Sequence, residues 1–158
     1  FSDFSKMNFP TNEKADLMQA IKSTTTLFKK SYEINIEIDS DREYIPIKTS
    51  KQDLLRIFNN LLKNAVQSME NISPKEIRVQ IICKKFHAEL RLSDNGKGIS
   101  TEDKESIFRP YFTTKSKGTG LGLAIVKNLM TEMGGEVTFV SEEGNGTTFI
   151  LQFPLSTK

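Results

Sequence analysis

Apolar positions along the chain follow two periods, and the switches between them lay out the predicted elements. Leu17, Ile21, Leu27 and Phe28 recur at helical spacing and predict a helix over 16–30. Short strands are predicted at 34–38 and near 44–47. Ser50 followed by Asp53 is a capping-box signature, and it opens a helix whose apolar stripe is Leu54, Phe58, Leu61, Ala65 and Met69. Two strands follow: the apolar run 77–83, then a strand in which Phe86, Ala88, Leu90, Leu92 and Asp94 share one side. After a connection from 99 to 117, broken by one short segment at 101–108, a helix is predicted over 121–133, closed by Gly134 and Gly135. Strands at 137–141 and 147–153 flank Gly144-Asn145-Gly146, the pattern of a hairpin turn, with nucleotide contact as a second use. At the start of the chain, Phe1, Phe4 and Met7 before Pro10 read as the last turns of a helix that begins upstream.

Composition narrows the picture. A chain of 158 residues with 37% apolar content fits one compact domain able to bury a core without disulfides or structural metal. Net charge is +2, and no basic stripe interleaves with aromatics, so a nucleic-acid partner is not expected and any anion site has to be local. The single cysteine, Cys83, cannot form an internal disulfide and is expected to be a buried thiol in a reducing compartment. No stretch approaches the roughly 18 apolar residues of a membrane span, which predicts a soluble piece with no membrane contact of its own.

Candidate chemistry gathers in three places. Asn60, Lys63, Asn64 and Gln67 fall at i, i+3, i+4 and i+7 and share one helix face. Amides are poor helix formers, so that face is either an ordinary solvated one or one kept for a ligand. Asp94 ends a strand pointing inward, where a carboxylate either caps the following turn or accepts from a ligand amine, and Gly96 and Gly98 permit close backbone approach beside it. The connection carries Arg109, Lys115 and Lys117 among Thr113, Thr114 and Ser116, a composition suited to a phosphate-facing flap as well as to a plain surface loop. Gly118, Gly120 and Gly122 then lead into a helix whose N-terminal amides suit an anionic phosphate. Neither the Rossmann nor the Walker spacing is present, because Leu123 stands where the former needs its third glycine and no G-K-[ST] occurs. His87, the only histidine, lies between Phe86 and Ala88 in a predicted strand and reads as a surface or edge residue.

In this order, Asn60-Leu-Leu-Lys-Asn64-Ala, Asp94-Asn-Gly-Lys-Gly98, Phe108-Arg-Pro-Tyr-Phe112-Thr-Thr-Lys115, Gly118-Thr-Gly-Leu-Gly122-Leu and Gly144-Asn-Gly146-Thr resemble the N, G1, F, G2 and G3 boxes of sensor histidine kinases in the GHKL ATPase superfamily. The resemblance runs from about Asp16 to Pro154, and the lid sequence with the opening Phe1-Ser-Asp-Phe4 is similar to nitrogen-regulation kinases of the NtrY and NtrB kind. It implies an α/β two-layer sandwich of the Bergerat type with a mixed sheet packed on helices. It also implies an upstream dimerisation helix ending within 1–10 and an ATP-binding catalytic domain over 11–158.

The same resemblance implies ATP and Mg²⁺ as ligands. Asn64 would bind the metal through its side-chain oxygen, with Asn60 and Lys63 beside the phosphates. Asp94 would accept the adenine amine while Gly96, Gly98 and Ile99 let the backbone approach the base. Phe108 and Phe112 would anchor the lid, with Thr113, Thr114 and Lys115 reaching the phosphates. Gly118, Thr119, Gly120, Leu121, Gly122 and Leu123 would shape the triphosphate loop, and Thr147 would complete the site. Gln67 departs from relatives that carry a basic residue there, which shifts weight to Lys63 and Lys115. The implied reaction moves the γ-phosphoryl group of ATP to a histidine on a dimerisation domain absent from this chain, since His87 lacks the helical His-Glu or His-Asp context of an acceptor. The expected partners are that domain and a response-regulator receiver domain. The expected setting is the cytoplasmic part of a membrane-bound bacterial sensor, with the fragment monomeric and the parent a homodimer. The alternatives are a GHKL ATPase or serine kinase of the anti-sigma kind, and a nucleotide-sensing module that no longer catalyses.

Overall fold

The computed structural model describes residues 13–113 and 120–156. The helix end expected around Phe1, Phe4 and Met7 lies outside them. Among the described residues the elements are β1 (Ala15–Asp16), α1 (Leu17–Ser31), β2 (Asn35–Ser40), β3 (Pro46–Ile47), α2 (Lys51–Ser68), β4 (Glu76–Cys83), β5 (His87–Asp94), α3 (Gly122–Glu132), β6 (Glu136–Ser141) and β7 (Thr147–Pro154). Five strands form one mixed sheet in the order β2-β4-β5-β7-β6, in which only the β2–β4 pairing is parallel.

Strict alternation gives the sheet two different faces. Ile77, Val79 and Ile81 of β4, Ala88, Leu90 and Leu92 of β5, and Phe149, Leu151 and Phe153 of β7 are all buried on the helix side. The opposite face carries Glu37, Arg78, Glu89 and Arg91, with ion pairs Arg78–Glu37 at 3.7 Å and Arg91–Glu89 at 3.1 Å. The helices form the second layer, with α2 packed against both α1 and α3. Each of these core residues removes apolar surface from water at roughly 25 cal/mol per Å². A second, two-stranded sheet pairs β1 with β3, and Ile47 also bridges Leu155, which ties both ends of the described chain to the core.

The helix boundaries follow from their caps. Asp16 precedes α1, and its Oδ1 accepts the N–H groups of Met18 (3.1 Å) and Ile45 (2.9 Å). The Ser50 hydroxyl accepts the Asp53 N–H at 3.1 Å and starts α2 where the sequence pattern placed it. Beyond the last turn of α3, Gly134 N–H donates to the Thr131 carbonyl and Gly135 N–H to the Met130 carbonyl, the paired bonds of a Schellman ending.

Four sequence expectations are corrected. Leu27 is 63% exposed, because the buried side of α1 turns through Thr24 and Thr25 towards Phe28. Phe86 is 70% exposed and sits in the β4–β5 turn, which closes when Lys84 N–H donates to the His87 carbonyl at 2.8 Å. His87 is neither a surface nor an edge residue: it is half-buried on β5, an interior strand, opposite Pro154. Cys83 is half-buried rather than buried. Apart from these corrections, the short segment at 101–108 is formed as consecutive turns.

Candidate functional site

The ends of β5 and β7, the exposed face of α2 and the start of α3 surround a cavity of about 410 Å³, a size suited to a small organic ligand. One wall is the amide-rich face of α2: Asn60, Lys63, Asn64, Gln67 and Ser68 all line it. The apolar stripe of the same helix, Leu54, Phe58, Leu61 and Ala65, is buried on the opposite side. Burial of that stripe therefore aims the amides into the cavity. Asn60 Nδ2 donates to the Arg56 carbonyl at 2.8 Å within the helix, which turns its Oδ1 towards Gly122, where a Cβ would stand 3.0 Å from that oxygen.

The second wall is the loop after β5. Asp94 is 8% exposed, and its Oδ1 accepts the Gly96 N–H at 2.8 Å, so the Asx turn foreseen as one reading of this carboxylate is formed. A Cβ on Gly96 would collide with the Ser68 hydroxyl and carbonyl, so only glycine lets the loop rest on the last turn of α2. Lys97 N–H, donating to the Ser68 carbonyl at 2.9 Å, holds the same contact. Gly98 and Ile99 line the cavity, as does Thr147, the register partner of Asp94.

The third wall comes from the start of the lid segment and from α3. Phe108 packs edge-on against Phe139 and Phe149 at centroid distances of 5.8 and 6.4 Å, with the Lys127 ammonium 5.2 Å above its ring. This cluster roots the segment in the sheet. Phe112 and Thr113 reach the cavity, and Tyr111 N–H donates to the Gly120 carbonyl at 2.8 Å, joining the two flanks of residues 112–119. Gly120, with φ +76°, packs so closely on the Tyr111 backbone that a side chain there would collide with it. Among the described residues no side chain caps the start of helix α3 and its first turn holds no acidic residue, and Gly122 and Leu123 at its start line the cavity. The positive end of its dipole is thus available to an anion.

Of the residues expected to form the site, Asn60, Lys63, Asn64, Gly98, Ile99, Phe112, Thr113, Gly120, Gly122, Leu123 and Thr147 line the cavity. Asp94, Gly96, Phe108 and Leu121 stand behind the lining, and Thr114, Lys115, Gly118 and Thr119 lie outside the described residues. Sequence reasoning missed Ser68, Lys97, Ser100, Asp103, Ile107 and Glu143. Ser68 could have been found as the residue four after Asn64 on the same face. The contribution of Glu143 from the β6–β7 turn had no local signal.

The model of the family described as histidine kinase-, DNA gyrase B-, and HSP90-like ATPase matches residues 49–157. The sensor histidine kinase ZraS of Escherichia coli (strain K12) is 34% identical over 128 residues, covering 80% of this chain and 27% of ZraS. The nitrogen regulation protein NtrY of Azorhizobium caulinodans is 32% identical over 155 residues, covering 92% of this chain and 20% of NtrY. The chain therefore spans about a quarter or less of the length of these relatives. Among solved structures, the nucleotide-free catalytic domain of histidine kinase ThkA superposes with a TM-score of 0.78 at 27% identity, covering 90% of this chain and 94% of that one.

Proposed function

We infer the function from one premise: this chain belongs to the histidine kinase-, DNA gyrase B-, and HSP90-like ATPase family, as a histidine kinase ATP-binding catalytic domain. We propose that it holds Mg²⁺-ATP in the 410 Å³ cavity and presents the γ-phosphoryl group to a histidine on a dimerisation domain outside this chain. The observation that carries this reading is the convergence on one cavity of amide oxygens from α2, the turn after Asp94 and the start of α3.

In this reading the adenine end lies towards Asp94 and Thr147, where a carboxylate and a hydroxyl stand opposite each other in the β5–β7 register. A carboxylate accepts from an exocyclic amine but offers nothing to the carbonyl that guanine carries there. The phosphates lie towards Lys63, Asn60 and the α3 N-terminus. Gln67 brings no charge to this wall, so Lys63 carries more of the phosphate contact, with Lys115 its expected counterpart from the lid.

The donor set fits Mg²⁺. Among the described residues no group of three or more His, Cys, Asp or Glu could hold a metal, so its protein ligand would be the hard amide oxygen of Asn64, completed by phosphate oxygens and water. Bound there, the ion would neutralise charge on the phosphates. The residues of the chain contribute by position. Asn60 and Asn64 are fixed on a rigid helix, and the dipole of α3 meets the charge spread over the transferring group. The acceptor imidazole nitrogen attacks the γ-phosphorus, the bond to the β–γ bridging oxygen breaks, and that electron pair leaves with ADP. A response-regulator receiver domain would take the phosphoryl group next, in a parent that is a homodimer. ATP supply places the reaction on the cytoplasmic side, and no helix among the described residues is long and apolar enough to cross a membrane.

Calorimetric titration with ATP, with and without Mg²⁺, tests the reading. Expected are Mg²⁺-dependent binding of ATP over GTP and a loss of roughly 10- to 100-fold in Asp94→Asn, the scale of one hydrogen bond to a charged group. No ATP binding by the folded wild-type chain would overturn it.

A further inference from the structure

One buried polar side chain has no ligand-facing role, yet it joins both sides of the base end of the cavity. Ser141 closes β6, is 8% exposed and does not line the cavity. Its Oγ accepts the Ile99 N–H at 2.8 Å, donates to the Gly146 carbonyl at 3.0 Å, and lies 2.8 Å from Thr147 Oγ1. Both Ile99 and Thr147 line the cavity.

A serine hydroxyl has one proton and two lone pairs. With its proton on the Gly146 carbonyl and one lone pair taken by Ile99, the remaining lone pair accepts from Thr147, one of the two directions this contact allows. Thr147 then has spent its own proton and meets a ligand as an acceptor. An acceptor hydroxyl opposite the Asp94 carboxylate suits a group with two protons to give, which is the exocyclic amine of adenine. Guanine has a carbonyl at that position and would find two acceptors.

We propose that Ser141 is a positioning residue for base recognition: it fixes the turn after Asp94 against the β6–β7 turn and keeps the Thr147 hydroxyl an acceptor. The inference rests on the reading of this cavity as an adenine-nucleotide site. It concerns selectivity for the base and leaves the phosphate end untouched.

The test is competition binding of Mg²⁺-ATP, Mg²⁺-ADP and Mg²⁺-GTP to this chain and to Ser141→Ala, with melting temperatures recorded for each protein. Ser141→Cys serves as a second variant that keeps the volume of the side chain and replaces its hydroxyl with a weak hydrogen-bonding thiol, in case the alanine variant does not fold. The expected result is an equal loss of affinity for ATP and ADP, about tenfold for one hydrogen-bonded hydroxyl, with a smaller loss for GTP and a narrowed ATP-to-GTP ratio. Unchanged ATP affinity in a folded variant overturns the proposal. Equal losses for ATP and GTP also overturn it, since general loosening of the site would produce that pattern. A wild-type chain that binds neither ATP nor ADP would instead overturn the reading of the site itself.

Discussion

At Gly96 a single hydrogen in place of a side chain decides whether the turn after Asp94 can rest on α2. Gly96→Ala would drive a methyl group into the Ser68 hydroxyl and carbonyl, neither of which has a free path of retreat, since Ser68 Oγ is bonded to the Ala65 carbonyl at 2.8 Å. We expect a stability loss of about 1–3 kcal/mol by urea denaturation, the usual cost of overpacking, together with weakened ATP binding. Gly144→Ala is the contrasting variant. It has φ +86° but nothing within 4 Å, so only backbone strain of roughly 1–2 kcal/mol is expected and affinity should not change. Equal affinity losses in the two variants would show that Gly96 is not a special contact. Both glycines stood out in the sequence, yet their different reasons did not. The atoms that surround Gly96 come from a helix about thirty residues earlier, and no local pattern records that meeting. Ser141 was hidden for the same reason: its three partners are assembled only when the β6–β7 turn folds over the glycine loop.

Among the elements, α2 was the most legible, because a fixed 3.6-residue period sends Leu54, Phe58, Leu61 and Ala65 inward and thereby commits Asn60, Lys63, Asn64 and Gln67 to the other side. Strands β5 and β7 were readable from alternation. The start of β5 was not, since Phe86 continues the period one step back into the turn that precedes the strand. The parallel pairing of β2 with β4 left no trace in either strand, because it depends on the crossover through α2. On the outer face of β5, burial pushes the Glu89 carboxyl up, but the Arg91 hydrogen bond and the charges of Arg91 and Lys84 outweigh it and hold the group below its ordinary 4.5. A folded-state value below the unfolded one gives stability that is present above about pH 4.5 and is lost as pH falls through the folded value. Glu89→Gln should therefore cost at most about 1 kcal/mol at pH 7, given how exposed Arg91 is, and the difference from wild type should shrink in urea titrations run below pH 4.5. A difference that persists at low pH would assign the effect to packing.

For the molecule as a whole, the cavity is walled by segments that pack on one core but come from widely separated parts of the chain. A ligand bridging them should stabilise the entire unit. With Mg²⁺-ATP at a hundredfold excess over its Kd, the expected gain is about 2.7 kcal/mol, which for a chain of this size raises the melting temperature by roughly 5–10 °C. GTP at the same concentration should give a smaller shift, and equal shifts would contradict adenine selectivity. One helix, α2, carries both Asn60, on the proposed phosphate side, and Ser68, the seat of the loop on the proposed base side. The eight residue steps from Asn60 to Ser68 span about 12 Å at roughly 1.5 Å per residue. That distance is set by the backbone hydrogen bonds of a single helix and does not depend on how the neighbouring loops are arranged. In the proposed reading, α2 would therefore act on the nucleotide as a ruler does, by a fixed length marked on its edge between base and phosphates.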